Sequence, residues 1–144
     1  MKKILFVLVV LLSLMSCNMM PSTLNNYEEI NNFMIENNID TEYKVFHFLR
    51  FNIDRDNYDL IGRCQTPIQT FTRKKGDCED YVILAMYMLK QINIESYLVI
   101  VLLHGNFLNK YTHAVIEIDN ILIEAQTGQW YQEPYEKVLK RVCL

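Results

Sequence analysis

One segment fixes the centre of the fold before anything else is known. Between Gly76 and Asn93 the apolar residues Tyr81, Val82, Leu84, Ala85, Met88 and Leu89 cover more than one helical stripe. A helix from about Cys78 to Gln91 with that pattern has to be buried centrally, with other elements packed on several sides of it. Gly76 breaks the chain ahead of it and Asp77 is placed to cap it. The thiol of Cys78 therefore stands in the first turn of the central helix.

Around that helix the hydrophobic spacing predicts an α+β arrangement, helices first and strands after, rather than alternating βαβ units. Leu24, Tyr27, Ile30, Phe33 and Met34 recur at helical spacing from about Thr23 to Asn37. Asp40 is placed to cap a second helix with Tyr43, Val45, Phe46, Phe48 and Leu49 as its apolar positions and Ile53 near its end. Residues 54–66 read as a polar connection, and Pro67 suits the first turn of a short helix through Phe71. Tyr97 to Leu103 reads as an interior strand, Gly105 to Lys110 as a loop. Ala114 to Ile118 and Ile121 to Ala125 read as a hairpin about Asp119-Asn120. A polar stretch containing Trp130 leads to an expected last helix near Tyr135 to Val142.

His113 opens the first hairpin strand in the run Thr112-His113-Ala114-Val115. A thiol at a helix start followed by an imidazole at a strand start is the layout of a cysteine nucleophile and its base. The thiolate is the reactive species, favoured by the positive end of a helix dipole and by a neighbouring imidazolium. The base comes from a separate element packed across from the helix. Counting back from the turn pairs Ile118 with Ile121, Glu117 with Leu122 and Ile116 with Ile123, which puts His113 and Glu124 on one face as diagonal neighbours. Glu124 is thus the candidate that orients the imidazole, with Glu117 and Asp119 as lesser rivals. His47, on a predicted helix, and His104, at a strand end, read as structural or surface residues.

The N-terminus is a different object. Lys2-Lys3 is a basic start, Ile4 to Leu12 an unbroken apolar run, and Ser16 precedes Cys17. This is an export signal over 1–16, too short for a membrane-spanning helix. The Ser16-Cys17 junction resembles the lipobox of bacterial lipoproteins. That resemblance implies lipidation at Cys17, a tether over 17–22, a domain over 23–144, and a membrane contact made through lipid at the bacterial envelope. Without residues 1–16 the chain has 12 basic and 17 acidic residues, a net charge of −5, and no basic run. Nucleic acid is not an expected partner. Cys64 and Cys143 remain, and they are expected as two partly buried free thiols rather than a disulfide pair. No C-x-x-C spacing suggests zinc.

Gly76-Asp77-Cys78-Glu79-Asp80-Tyr81, followed by Thr112-His113-Ala114-Val115 and a strand ending in an acid, resembles the transglutaminase-like superfamily, closest to its bacterial cysteine peptidase branch. The resemblance spans roughly residues 65–126. It implies a papain-like core in which the cysteine helix packs on an antiparallel sheet, with Cys78 as nucleophile and His113 as general base and acid. The third member falls on Glu124, where the branch usually carries Asp. It also implies an upstream glutamine as oxyanion donor, for which Gln65 and Gln69 both qualify, beside the backbone N–H of Cys78. Asp77, Glu79 and Asp80 cap the helix and complement its dipole. In the peptidase branch the same cluster is associated with calcium, a hard cation that takes carboxylates. The chemistry requires no other cofactor. The expected activity is hydrolysis of an amide bond in a protein or peptide through a thioester. The alternatives are acyl transfer to an amine by the same triad, or a catalytically silent binding module on the same fold.

Overall fold

The computed structural model describes residues 27–56, 64–103, 112–132 and 135–143. The expected signal at 1–16, the expected lipid site Cys17 with its tether, residues 23–26, His104 and the expected loop at 105–110 lie outside the described residues. Four helices, α1 (Glu28–Glu36), α2 (Glu42–Asn52), α3 (Pro67–Arg73) and α4 (Cys78–Gln91), precede a five-stranded antiparallel sheet among the described residues. Its strands are β3 (Tyr97–Leu103), β4 (Thr112–Ile118), β5 (Ile121–Glu124), β6 (Gln129–Trp130) and β7 (Tyr135–Val142), in the order β6-β5-β4-β3-β7. Among the described residues no helix is long and apolar enough to cross a membrane.

Helix α4 is central, as its pattern requires. Val82, Leu84, Ala85, Met88 and Leu89 are fully buried among side chains of α1, α2 and the sheet. Each large one contributes on the order of 1.5–3 kcal/mol by leaving water. Alternation along the strands splits the sheet into two faces. Leu98, Ile100, Ala114, Ile116, Ile118 and Ile123 join the helices, while Val99, Val101, Leu103 and Val115 form a smaller cluster on the other face with Leu122 and Tyr131.

The hairpin register is the one counted from the sequence: Ile118 with Ile121, Glu117 with Leu122, Ile116 with Ile123. Asp119 and Asn120 both take positive φ (50° and 63°), the backbone a two-residue turn demands and these residue types tolerate. Two elements differ from expectation at the level of detail. Thr41, not Asp40, caps α2, accepting from the Lys44 N–H, while Asp40 pairs with the Lys44 ammonium at 2.7 Å. A short parallel pair, β1 (Asp54–Arg55) with β2 (Lys75–Gly76), interrupts the polar connection and ties the end of α2 to the residues just before Cys78. The hydroxyl of Tyr81 donates to the carbonyl of Ile53 and reinforces that tie.

The expected last helix is wrong. Tyr135–Val142 is β7, paired antiparallel to β3 with register shifts at Ile100/Val101 and Leu102/Leu103. β3 is buried along almost its whole length and has β4 on one side only; its other edge needs a partner, and that requirement overrides local propensity. The thiols are also corrected. Cys143 is exposed and outside any disulfide, so it does not pair with Cys64, and Cys64 is disulfide-bonded rather than a free thiol.

Candidate active site

Four elements meet at the start of α4. Asp77 is its N-cap and Asp80 its N3 residue, and the two form a reciprocal capping box. Asp77 accepts from the Asp80 N–H at 3.3 Å, and the Asp77 N–H donates to Asp80 Oδ2 at 3.2 Å. Asp80 is fully buried. Gln65 holds it from the other side, its backbone N–H donating to Oδ1 and its side-chain Nε2 to Oδ2, both at 2.6 Å. Gly76 makes room for this packing, since a Cβ there would lie 2.7 Å from the Asp80 Cβ. Burial raises the Asp80 carboxyl above its usual range, and the Gln65 donors work against that rise.

Cys78 lies under the sheet. Its sulfur receives a backbone hydrogen bond from Ala114, the residue after His113. Ala114 is itself buried between α4 and the sheet, where a methyl group lets the helix start come close. The thiol donates to Glu79 Oε2 at 2.9 Å. Burial pushes the thiol pKa strongly up, and the Glu79 carboxylate adds to the rise. The arrangement is a protonated, parked thiol. Asp77 is pushed up to about 7, first by burial and then by the carboxylates of Glu79 and Asp80.

His113 and Glu124 meet as diagonal neighbours. Nε2 pairs with Glu124 Oε2 at 2.5 Å, with the two side chains only 15% and 20% exposed. The other carboxylate oxygen accepts from the Gln126 N–H at 3.3 Å, and the chain then folds back through 125–128 with the Gly128 N–H donating to the Glu124 carbonyl. Tyr131 lies against the imidazole, ring centres 5.7 Å apart. The rival acids are elsewhere. Glu117 takes a two-pronged bond from Arg141 at 2.8 and 3.0 Å, and Asp119 sits exposed at the turn. His47 lies between Tyr43 and Phe51 on the surface of α2, its ring tilted to both.

Both glutamines have partners other than the sulfur. The Nε2 of Gln65 is shared between Asp80 and the Lys75 carbonyl, and Gln69 is the N3 partner of Thr66 in the capping box of α3, accepting from the Thr66 N–H at 2.9 Å. The backbone N–H of Cys78 lies in the first turn of α4, where N–H groups have no partner within the helix. Among the described residues no group of three or more His, Cys, Asp or Glu side chains is arranged to hold a metal ion. Asp80 is committed to Gln65, which leaves Asp77 and Glu79 as a crowded carboxylate pair. Sequence reasoning left one part of the site unassigned: a cleft of about 840 Å³ lined by Glu124 and by residues 127–132. The lone tryptophan in that polar stretch was its only signal.

A family comparison covers this whole arrangement, matching residues 31–132 to the transglutaminase-like superfamily. The chain belongs to the transglutaminase-like superfamily. Comparison with curated proteins returns no match. Among solved structures, this transglutaminase-like chain resembles calcium-bound LapG of Legionella pneumophila, with a TM-score of 0.57 and 15% identity over 93% of this chain and 83% of that one. It also resembles the EGTA-treated form of LapG, with a TM-score of 0.51 and 14% identity over 86% and 74% of the two chains. At these identities the likeness is one of fold: helices on an antiparallel sheet.

Proposed function

We propose that the chain is a cysteine hydrolase of the peptidase type, cleaving an amide bond through a thioester. The observation that carries this reading is the His113–Glu124 pair, set one residue from the backbone that touches the Cys78 sulfur. With Nε2 held by Glu124, Nδ1 is the ring nitrogen left for the thiol. In the reaction His113 takes the thiol proton as sulfur attacks the carbonyl carbon. The Cys78 N–H supports the oxyanion, and the imidazolium returns the proton to the leaving amine. Water, deprotonated by the same imidazole, then releases the acid and regenerates the thiol. Glu124 fixes the tautomer and stabilises the imidazolium.

Calcium belongs to the same reading. Asp77 and Glu79 are two crowded carboxylates, the kind of donor pair a hard cation takes. Bound there, it would supply positive charge beside the sulfur and draw Glu79 off the thiol. Envelope anchoring through Cys17 is also proposed, on the basic start, the apolar run and Ser16-Cys17 alone. Acyl-chain mass on the Cys17 peptide from the native host is the expected result, and a Cys17 that is unmodified or held in a disulfide refutes it.

Alkylation kinetics test the nucleophile and the cation together. With millimolar calcium, iodoacetamide should label Cys78 faster than the exposed Cys143; in EGTA the rate at Cys78 should fall by about tenfold or more, since the parked thiol carries little thiolate. If Cys143 outpaces Cys78 in both conditions the nucleophile assignment fails. Equal rates at Cys78 with and without calcium remove the cation from the account.

A further inference from the structure

The cleft beside Glu124 has no role in the scheme above, and its composition and position suggest one. Its floor is β6, the outermost strand of the sheet, with β5 on one side and no strand on the other among the described residues. Gln129 of β6 pairs with Glu124, and Trp130 with Ile123. The Tyr131 N–H points inward to the Leu122 carbonyl, so alternation turns the backbone N–H and carbonyl of Trp130 toward the open side. An outer strand with outward-facing backbone groups is a template for an extended peptide.

The lining is nearly uncharged: Thr127, Gly128, Gln129, Trp130, Tyr131 and Gln132, with Glu124 already paired to His113. Trp130 is 70% exposed at the edge of this cleft, a large apolar surface left in water beside polar amides. Tyr131 lies against the imidazole and also lines the cleft, so the cleft borders the His113–Glu124 pair.

We propose that this cleft is the docking groove for the substrate's backbone. An extended, uncharged polypeptide segment adds to the outer edge of β6 and covers Trp130, beside the His113–Glu124 pair. Trp130 is a specificity-determining residue on this account. The proposal rests on the hydrolase reading and adds to it the form of substrate the site accepts: an unfolded, strand-forming stretch rather than a folded surface or a charged tail.

The test compares two electrophiles on the full chain in calcium-containing buffer: iodoacetamide and a blocked valyl-threonyl-valyl chloromethyl ketone. The ratio of the peptidyl rate to the iodoacetamide rate at Cys78 should fall about tenfold in Trp130→Ala, as truncation of a docking aromatic does. Tyr43→Ala, which removes an equally exposed aromatic on α2, should leave the ratio at its wild-type value. A probe with proline as its central residue lacks a strand N–H and should lose the advantage in the wild-type chain. An unchanged ratio in Trp130→Ala overturns the proposal. A second readout does not depend on the nucleophile. Trp130 is the sole tryptophan, so in Cys78→Ala its emission should shift to the blue when the unreactive tripeptide amide is added. A blue shift without selective labelling of Cys78 keeps the groove and refutes the hydrolase reading; no shift at saturating peptide refutes the groove.

Discussion

Glu124→Gln is expected to leave the fold intact and to lower turnover of a peptide amide by roughly 10⁴-fold, the loss seen when a triad acid becomes its amide. The amide keeps the size of the side chain but not its charge. It would offer His113 Nε2 either a donor or a weaker acceptor, and the imidazolium formed when Cys78 is deprotonated would lose its counter-charge. Glu124→Asp should retain far more activity, because the charge survives and only reach changes. Asp119→Asn, at an exposed turn remote from the imidazole, should be nearly silent. Hydrolysis of a valyl-threonyl-valyl aminocoumarin amide reads all three. Wild-type turnover in Glu124→Gln, with a collapse in Asp119→Asn, would move the orienting role to the turn and sink the assignment.

The largest stability effect is expected at Gly128. Its φ is +69°, and a Cβ built there lies 2.6 Å from the Cβ of Phe46, a core residue of α2. An alanine meets two penalties at once, the left-handed backbone at about 1–2 kcal/mol and the overlap at about 1–3 kcal/mol. Gly128→Ala should therefore cost about 3 kcal/mol, read as a lower denaturant midpoint at unchanged slope. Thr127→Ala, exposed on the same turn, should cost less than about 1 kcal/mol. A similarly small loss in Gly128→Ala would mean that the turn relaxes away from α2.

The chemistry of this chain was legible where it depends on local pattern. The break at Gly76, the cap at Asp77 and the apolar run to Leu89 specify α4 and put Cys78 at its start. The Asp119-Asn120 turn fixes the register that brings Glu124 to His113. Reading failed where a partner far along the chain decides. Tyr135 to Val142 has no strong period of its own and becomes a strand because β3 has an open edge. Gln65 was legible as a residue upstream of the nucleophile, but its direction depends on a carboxylate 15 positions later. The cleft along β6 was invisible for the same reason, since two residues make a strand only when β5 is already there.

The Gln65–Asp80 clamp has a consequence for how such a chain can drift. The dependence runs mostly one way. Without the Gln65 side chain Asp80 loses its Nε2 donor but keeps the backbone N–H groups of Gln65 and Asp77. An apolar residue in place of Asp80 strands both of those buried backbone groups, whatever stands at Gln65. The acid is therefore the member that cannot drift, and relatives that lack the glutamine should still carry it.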